Sequence, residues 1–163
     1  FSPVEKKADL TVVGAGGAPK DNDFLHAYPA LHRACRVTRE GGIVILVAAC
    51  SDGLGAAAFQ QLETVEKTLP PPGAVIADFT PARLTALAMQ QIVRNHKIFM
   101  VSGLEPECIT GMGMQPFPAL QNALETAIQN IPSHHSIYVI SDGTVVVPDY
   151  RAAKKVLTKA HFS

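Results

Sequence analysis

Thr11-Val12-Val13-Gly14-Ala15-Gly16-Gly17-Ala18-Pro19-Lys20-Asp21-Asn22-Asp23-Phe24-Leu25-His26 sets the architecture of this chain. A short apolar run that begins at Leu10 ends in small residues. A proline, polar residues and an apolar-periodic segment follow. That order reads as a buried strand, a glycine-rich turn and a helix. Gly16 and Gly17 lack a Cβ, so the backbone there can take positive φ and approach another molecule closely. Asp21, Asn22 or Asp23 can cap the helix, because a side-chain oxygen accepts from its unpaired first-turn amides. The same amides make the turn an expected anion seat. The dinucleotide fingerprint G-x-G-x-x-G is incomplete, since Pro19 stands where its third glycine belongs. A tight strand-to-helix connection with no ligand accounts for the glycines equally well.

Outward from this stretch the pattern repeats. The periodicity predicts a strand over 9–13 and a helix over 24–38, with Pro29 pushing the helix start toward Ala27 or Tyr28. Glu40-Gly41-Gly42 ends that helix and turns the chain into an apolar strand over 43–49. Ser51-Asp52-Gly53-Leu54-Gly55 forms a second glycine-bearing corner, followed by a helix over 56–67 that Pro70-Pro71-Pro72 stops. Residues 74–81 read as either a short strand or an extended crossing. Further on, a helix is expected over 82–95 with Leu84, Leu87, Ala88, Gln91 and Ile92 on its inner side. A strand is expected over 97–102, then a loop over 103–118 with a short helix at 106–110. A helix over 118–130, with Leu120, Ala123, Leu124, Ala127 and Ile128 inward, precedes a strand over 136–140. A turn at Asp142-Gly143, a small hairpin through 144–147 and a terminal helix over 150–160 complete the reading.

Strands alternating with helices predict an α/β fold: one Rossmann-like three-layer domain over residues 1–163, with a mainly parallel sheet of about four strands and flanking helices. Such sheets bind ligands beyond the carboxyl ends of their strands, so the two glycine corners are expected to share one sheet edge.

The chain's 163 residues are 47% hydrophobic and 17% charged, which suits a globular domain. Its 14 basic and 14 acidic residues balance, and no dense basic run occurs, which argues against a nucleic-acid partner. No apolar run approaches the roughly 20 residues of a membrane span. No signal-peptide core is visible at the start, and an initiator Met is lacking, so a piece of a longer polypeptide is an open reading. Cys35, Cys50 and Cys108 are odd in number and far apart, which argues against a disulfide framework or zinc knot and for a reducing, cytoplasmic setting. Cys35 and Cys50 read as small buried hydrophobes, and Met100, Met112 and Met114 as packing. The adjacent His134 and His135 diverge, and His32 and His96 have no partner at ligand spacing, so no metal site is expected.

The residues also carry a resemblance. Ala8-Asp9-Leu10-Thr11-Val12-Val13, Gly16-Gly17-Ala18-Pro19-Lys20-Asp21, Gly41-Gly42 and Ala49-Cys50-Ser51-Asp52-Gly53-Leu54-Gly55 follow in order, with Met100-Val101-Ser102 and Pro116-Phe117 downstream. Together they resemble the C-terminal domain of the nickel-dependent lactate racemase family. The resemblance implies one domain of a two-domain enzyme that racemises or epimerises small 2-hydroxy acids by hydride transfer. The nickel-pincer nucleotide and the acid–base histidines then belong to the N-terminal catalytic domain, a partner this chain lacks. The domain in hand is expected to hold no cofactor, no metal and no catalytic residue, and to be inactive alone. Its share is one wall of the substrate cleft.

Within that wall the resemblance and the turns nominate His26, Lys20, Asp21, Gly16, Gly17, Ser51, Asp52, Gly53 and Arg83 as substrate-binding. Lactate-specific members carry Tyr-Gln-x-x-Lys after the glycine corner, with the lysine on the substrate carboxylate. Here the matching residues are Leu25-His26-x-x-Pro29, and proline offers no charge and no donor. The resemblance therefore implies a substrate other than lactate, or an acid group taken by Lys20, His26 or Arg33, or a member without racemase activity. A stand-alone Rossmann-like module that binds a ligand or partner without catalysis is the alternative.

Overall fold

A computed structural model describes residues 2–3, 6–57, 59, 81–145 and 148–149. In chain order these form β1 (Ser2–Pro3), β2 (Ala8–Gly14), α1 (Phe24–Val37), β3 (Thr38–Val47), α2 (Pro81–Asn95), β4 (Lys97–Val101), α3 (Pro106–Gly111), β5 (Gln115–Phe117), α4 (Leu120–Gln129), β6 (Ile137–Ile140) and β7 (Pro148–Asp149). Five strands make one sheet in the order β5-β4-β3-β2-β6, every neighbour parallel. Short β1 and β7 pair with each other, also in parallel.

The strand order explains the layers. From β2 to β3 to β4 the chain steps one way along the sheet, and from β5 to β6 it returns past β2. Parallel crossovers keep one hand, so the return helix must lie on the opposite face. On one face, α1 and α2 pack with Val13, Val44, Leu46, Ile98 and Met100. On the other, Ala123 and Ala127 of α4 pack with Leu10, Val12, Ile43, Ile45 and Phe99. Covered twice, β2 and the later part of β3 are buried at nearly every position, and all but Asp9 and Thr11 of those buried residues are apolar. Each large side chain fully buried there contributes about 1.5–3 kcal/mol.

The expected Rossmann-like, mainly parallel fold is thus present, with five strands in the main sheet instead of four. The extra strand, β5, lies in the stretch read as loop. It is three residues long, includes Pro116 and occupies the sheet edge, where a missing N–H is tolerated. Gly41-Gly42 does not end α1. The helix stops at Val37, and the glycines form an irregularity inside β3, where Ala8 pairs with Thr38 but Leu10 with Ile43. Pro29 does not delay α1, because Asp23 caps it by accepting from the His26 amide, and Pro29 sits inside the helix. On α2 the inner face is Ala86, Met89, Gln90 and Ile92, while Leu84 is exposed and Gln91 points outward. On α4, Leu120 and Ile128 are likewise exposed. The predicted helix over 56–67, the crossing over 74–81 and the terminal helix over 150–160 fall wholly or mostly outside the described residues, as does the second half of the hairpin through 144–147.

Asp9 ties the amino ends of the strands together. Its carboxylate accepts from the Ser136 amide at 2.9 Å and from Arg39 Nε at 2.6 Å. Those bonds, the Ser136 N–H first and Arg39 second, hold the Asp9 carboxyl below the usual carboxylate range. The opposite edge is left for the site.

Two glycines test this packing with opposite signs. A Cβ on Gly143 would meet Val13 Cγ2 at 2.5 Å and Ala30 Cβ at 2.8 Å, whereas one on Gly111 of α3 meets nothing within 4 Å. Gly143→Ala is expected to destabilise the fold by about 1–3 kcal/mol through overpacking. Gly111→Ala is expected to be neutral or to add up to about 1 kcal/mol, as a helical glycine replaced by alanine does. Urea denaturation midpoints of the two variants check both signs.

Candidate functional site

Four strand ends meet at the carboxyl edge. Gly14, Ala15, Gly16 and Gly17 leave β2, Ala48 and Ala49 leave β3, Ser102 and Gly103 leave β4, and Ser141 and Asp142 leave β6. With Asp21, Val47 and Val101 they line a cleft of about 750 Å3. The wall is made of small residues because the backbones crowd together. A Cβ on Gly14 would stand 2.6 Å from the Ser141 carbonyl oxygen, and one on Gly103 would stand 3.0 Å from that of Ala49.

The two predicted corners are side by side and hydrogen-bonded. The Cys50 amide donates to the Asp21 carbonyl at 2.7 Å and the Asp52 amide to that of Asn22 at 2.7 Å. In return, Phe24 and Leu25 donate to the Gly53 and Leu54 carbonyls at 3.0 and 3.2 Å. Asp21, buried, accepts from the Ala49 amide through Oδ2 at 3.1 Å. Cys50 takes φ 50, rare outside glycine, at the point where the second corner bends over the first. Burial pushes its thiol up to about 11 and that of Cys35 to about 12, which suits packing rather than reactivity.

This stitching consumes the expected anion seat. The first amides of α1 all find partners inside the chain: Phe24 and Leu25 on the second corner, His26 on Asp23 Oδ1 at 2.9 Å. The structure therefore offers no free helix N-terminus to a ligand at α1, because the second corner caps it.

The candidate residues fall into three groups. Gly16, Gly17 and Asp21 line the cleft. Lys20 reaches its rim, with Nζ 2.6 Å from Asp142 Oδ2. Ser51, Asp52, Gly53 and His26 are not among the lining residues. The His26 ring is turned to Asp23, with Nδ1 2.8 Å from each carboxylate oxygen. Burial works to raise the Asp23 carboxyl, but the His26 amide and ring outweigh it and hold it low. Arg33 donates to the carbonyls of Gly143 and Thr144 and fixes the loop after β6. Arg83 stands in the first turn of α2.

Asp142 was missed by the sequence reading, which took Asp142-Gly143 as a turn alone. Its Oδ1 accepts from the Thr144 amide at 3.0 Å and hydroxyl at 2.5 Å, and the loop folds back so that the Gly143 amide bonds the Gly14 carbonyl at 2.8 Å. A Cβ on Gly16 would lie 2.6 Å from Asp142 Oδ1, so only glycine admits this carboxylate, and φ +87 demands glycine as well. The available signal was positional: in an all-parallel sheet, a polar residue after the last strand reaches the same edge as the first corner.

A family profile described as the lactate racemase C-terminal domain matches residues 4–148. The chain belongs to that family. The lactate racemase of Thermoanaerobacterium thermosaccharolyticum is 27% identical over 151 residues, covering 87% of this chain and 35% of that protein. The lactate racemase of Lactiplantibacillus plantarum is 28% identical over 148 residues, covering 85% of this chain and 34% of that protein. The chain thus spans about a third of the length of these curated relatives. Its fold matches the structure of the lactate racemase apoprotein from T. thermosaccharolyticum with a TM-score of 0.78 at 26% identity, over 88% of this chain and 36% of that one. The resemblance read from the glycine corners is therefore a family relationship. Among the described residues no helix is long and apolar enough to cross a membrane.

The Lys20–Asp142 pair makes this edge sensitive to acid. Lys20 first, then the Thr144 hydroxyl, take the Asp142 carboxyl from its ordinary 3.8 down to about 2. A carboxyl whose folded pKa lies below its unfolded one binds fewer protons when folded, so its stabilisation is complete above about pH 4 and fades as pH falls through about 2. In Lys20→Ala the carboxyl is expected to titrate closer to 3.8. NMR titration of the Asp142 carboxyl carbon in the two proteins checks the direction.

Proposed function

We propose that this chain is the substrate-side domain of a nickel-pincer-nucleotide-dependent racemase or epimerase of small 2-hydroxy acids, with the nucleotide carried on a separate domain. The observation that carries the reading is the cleft at four strand ends on a chain of the lactate racemase C-terminal domain family. Its wall is bare backbone and small side chains, against which a small acid and a second domain can close. The relatives named lactate racemase are about two and a half times as long, which leaves room for that domain.

Among the described residues no three His, Cys, Asp or Glu side chains converge as a nickel ligand set requires. The described residues of this chain therefore do not fit a resident nickel. What the chain's own residues do is position and exclude. Val47, Val101 and the alanines supply an apolar floor, while Lys20, Asp21 and Asp142 supply polar groups at its edge. Proline at position 29 removes the lysine that lactate-specific members use, so the preferred acid is expected to be another 2-hydroxy acid.

The test is racemisation across a panel of chiral 2-hydroxy acids. The polypeptide joined to its catalytic domain and loaded with nucleotide should interconvert the enantiomers or epimers of at least one acid, with lactate not the best. The 163-residue chain alone should leave every acid unchanged. Turnover by the isolated chain, or an inert loaded enzyme across the panel, contradicts the reading.

A further inference from the structure

None of the residues lining the cleft is a cation, yet a 2-hydroxy acid arrives with a negative charge. Three candidates stand nearby. His26 turns to Asp23, and Arg33 holds the carbonyls of Gly143 and Thr144, none of which lines the cleft. Lys20 alone of the three binds a lining residue with its side chain, through the 2.6 Å contact to Asp142. An ammonium has three donors, and this contact uses one. The Lys20 side chain is still 41% exposed, which leaves its ammonium open to a ligand.

Asp142 is built to hold it. One carboxylate oxygen takes both Thr144 donors, the other takes Lys20, and the Cα of Gly16 closes the face beneath. These contacts orient the carboxylate, and through it the ammonium. A preoriented cation loses less side-chain entropy when a ligand binds than a free lysine does.

We propose that Lys20 receives the substrate carboxylate at the rim of the glycine corner, in place of the lysine absent at position 29, and that Asp142 is the positioning residue that aims it. This rests on the 2-hydroxy-acid reading above. A charge-assisted bond to a carboxylate is short and directional, and its loss weakens binding about ten- to a hundredfold.

The experiment uses the full, nucleotide-loaded polypeptide and the acid it turns over fastest. Lys20→Ala should raise KM about ten- to a hundredfold and leave kcat within about threefold, because the carboxylate is held alike in ground and transition states. Asp142→Asn should raise KM by a smaller factor. The double variant should be no worse than Lys20→Ala alone, since Asp142 acts through Lys20. Lys20→Arg should recover part of the loss. A pair that only braces the fold gives the other pattern: lower Tm with KM unmoved, or KM effects of the two substitutions that multiply. Either overturns the proposal. Calorimetric titration with glycolate, an achiral 2-hydroxy acid, of wild type and of Lys20→Gln separates this inference from the reading beneath it. If no acid is racemised but glycolate binds wild type and not Lys20→Gln, the anion site stands without the racemase. Equal glycolate affinity in the two proteins removes Lys20 from the site.

Discussion

The cleft depends on one constraint: the first two crossovers of a parallel sheet start from the same carboxyl edge and must satisfy each other's backbone there. Asp21 is where this is settled. Its carboxylate takes the Ala49 amide and its carbonyl takes the Cys50 amide, so the glycine corner after β2 is bonded to the corner after β3. A buried amide left without an acceptor costs about 1–3 kcal/mol, and the two corners remove several such costs at once. The second corner also caps α1, which explains why Asp23, Gly53, Gly55 and the first turn of the helix form one interlocked unit.

From that unit the rest of the wall follows. With the α1 amides spent, the polar chemistry of the edge passes to side chains on the rim. The last strand of the main sheet supplies one of them. β6 returns beside β2 because the chain has reversed direction along the sheet, and its exit loop lays Asp142 across Gly16. Two glycines of the first corner are close-packing requirements: Gly14 admits the Ser141 carbonyl and Gly16 admits a carboxylate, while Gly17 has open space at the position a Cβ would take and is called for by its φ of +72.

Much of this was legible in the sequence. β2, β3 and β4 are largely buried runs and β6 is an apolar one with Ile137 and Val139 exposed; polar or glycine-bearing turns bound them, so their existence and order could be read directly. The family relationship was carried by two motifs in fixed order. What could not be read was anything set by tertiary neighbours. Gly41-Gly42 looked like a helix stop because glycine is ambiguous between a cap and a bulge. β5 was hidden by its length and its proline. The inner face of α2 was rotated relative to its most hydrophobic side, since what it buries is chosen by α1 and the sheet. His26 stands by the glycine corner as its sequence position suggests, but the contact of its Nδ1 with Asp23 could not be read from the sequence. Asp142 was passed over because nothing in its own neighbourhood shows that it ends 2.6 Å from Lys20, far away in sequence.

The proposal to be tested places a small hydroxy acid against two adjoining corners, with Lys20 paired to Asp142 at their rim. A crystal structure of the full polypeptide soaked with glycolate addresses it directly. The account predicts the glycolate carboxylate against the Gly16–Gly17 turn, within about 2.7–3.1 Å of Lys20 Nζ, while Lys20 keeps its contact with Asp142. Glycolate seated elsewhere, or bound with Lys20 turned away from it, contradicts the account.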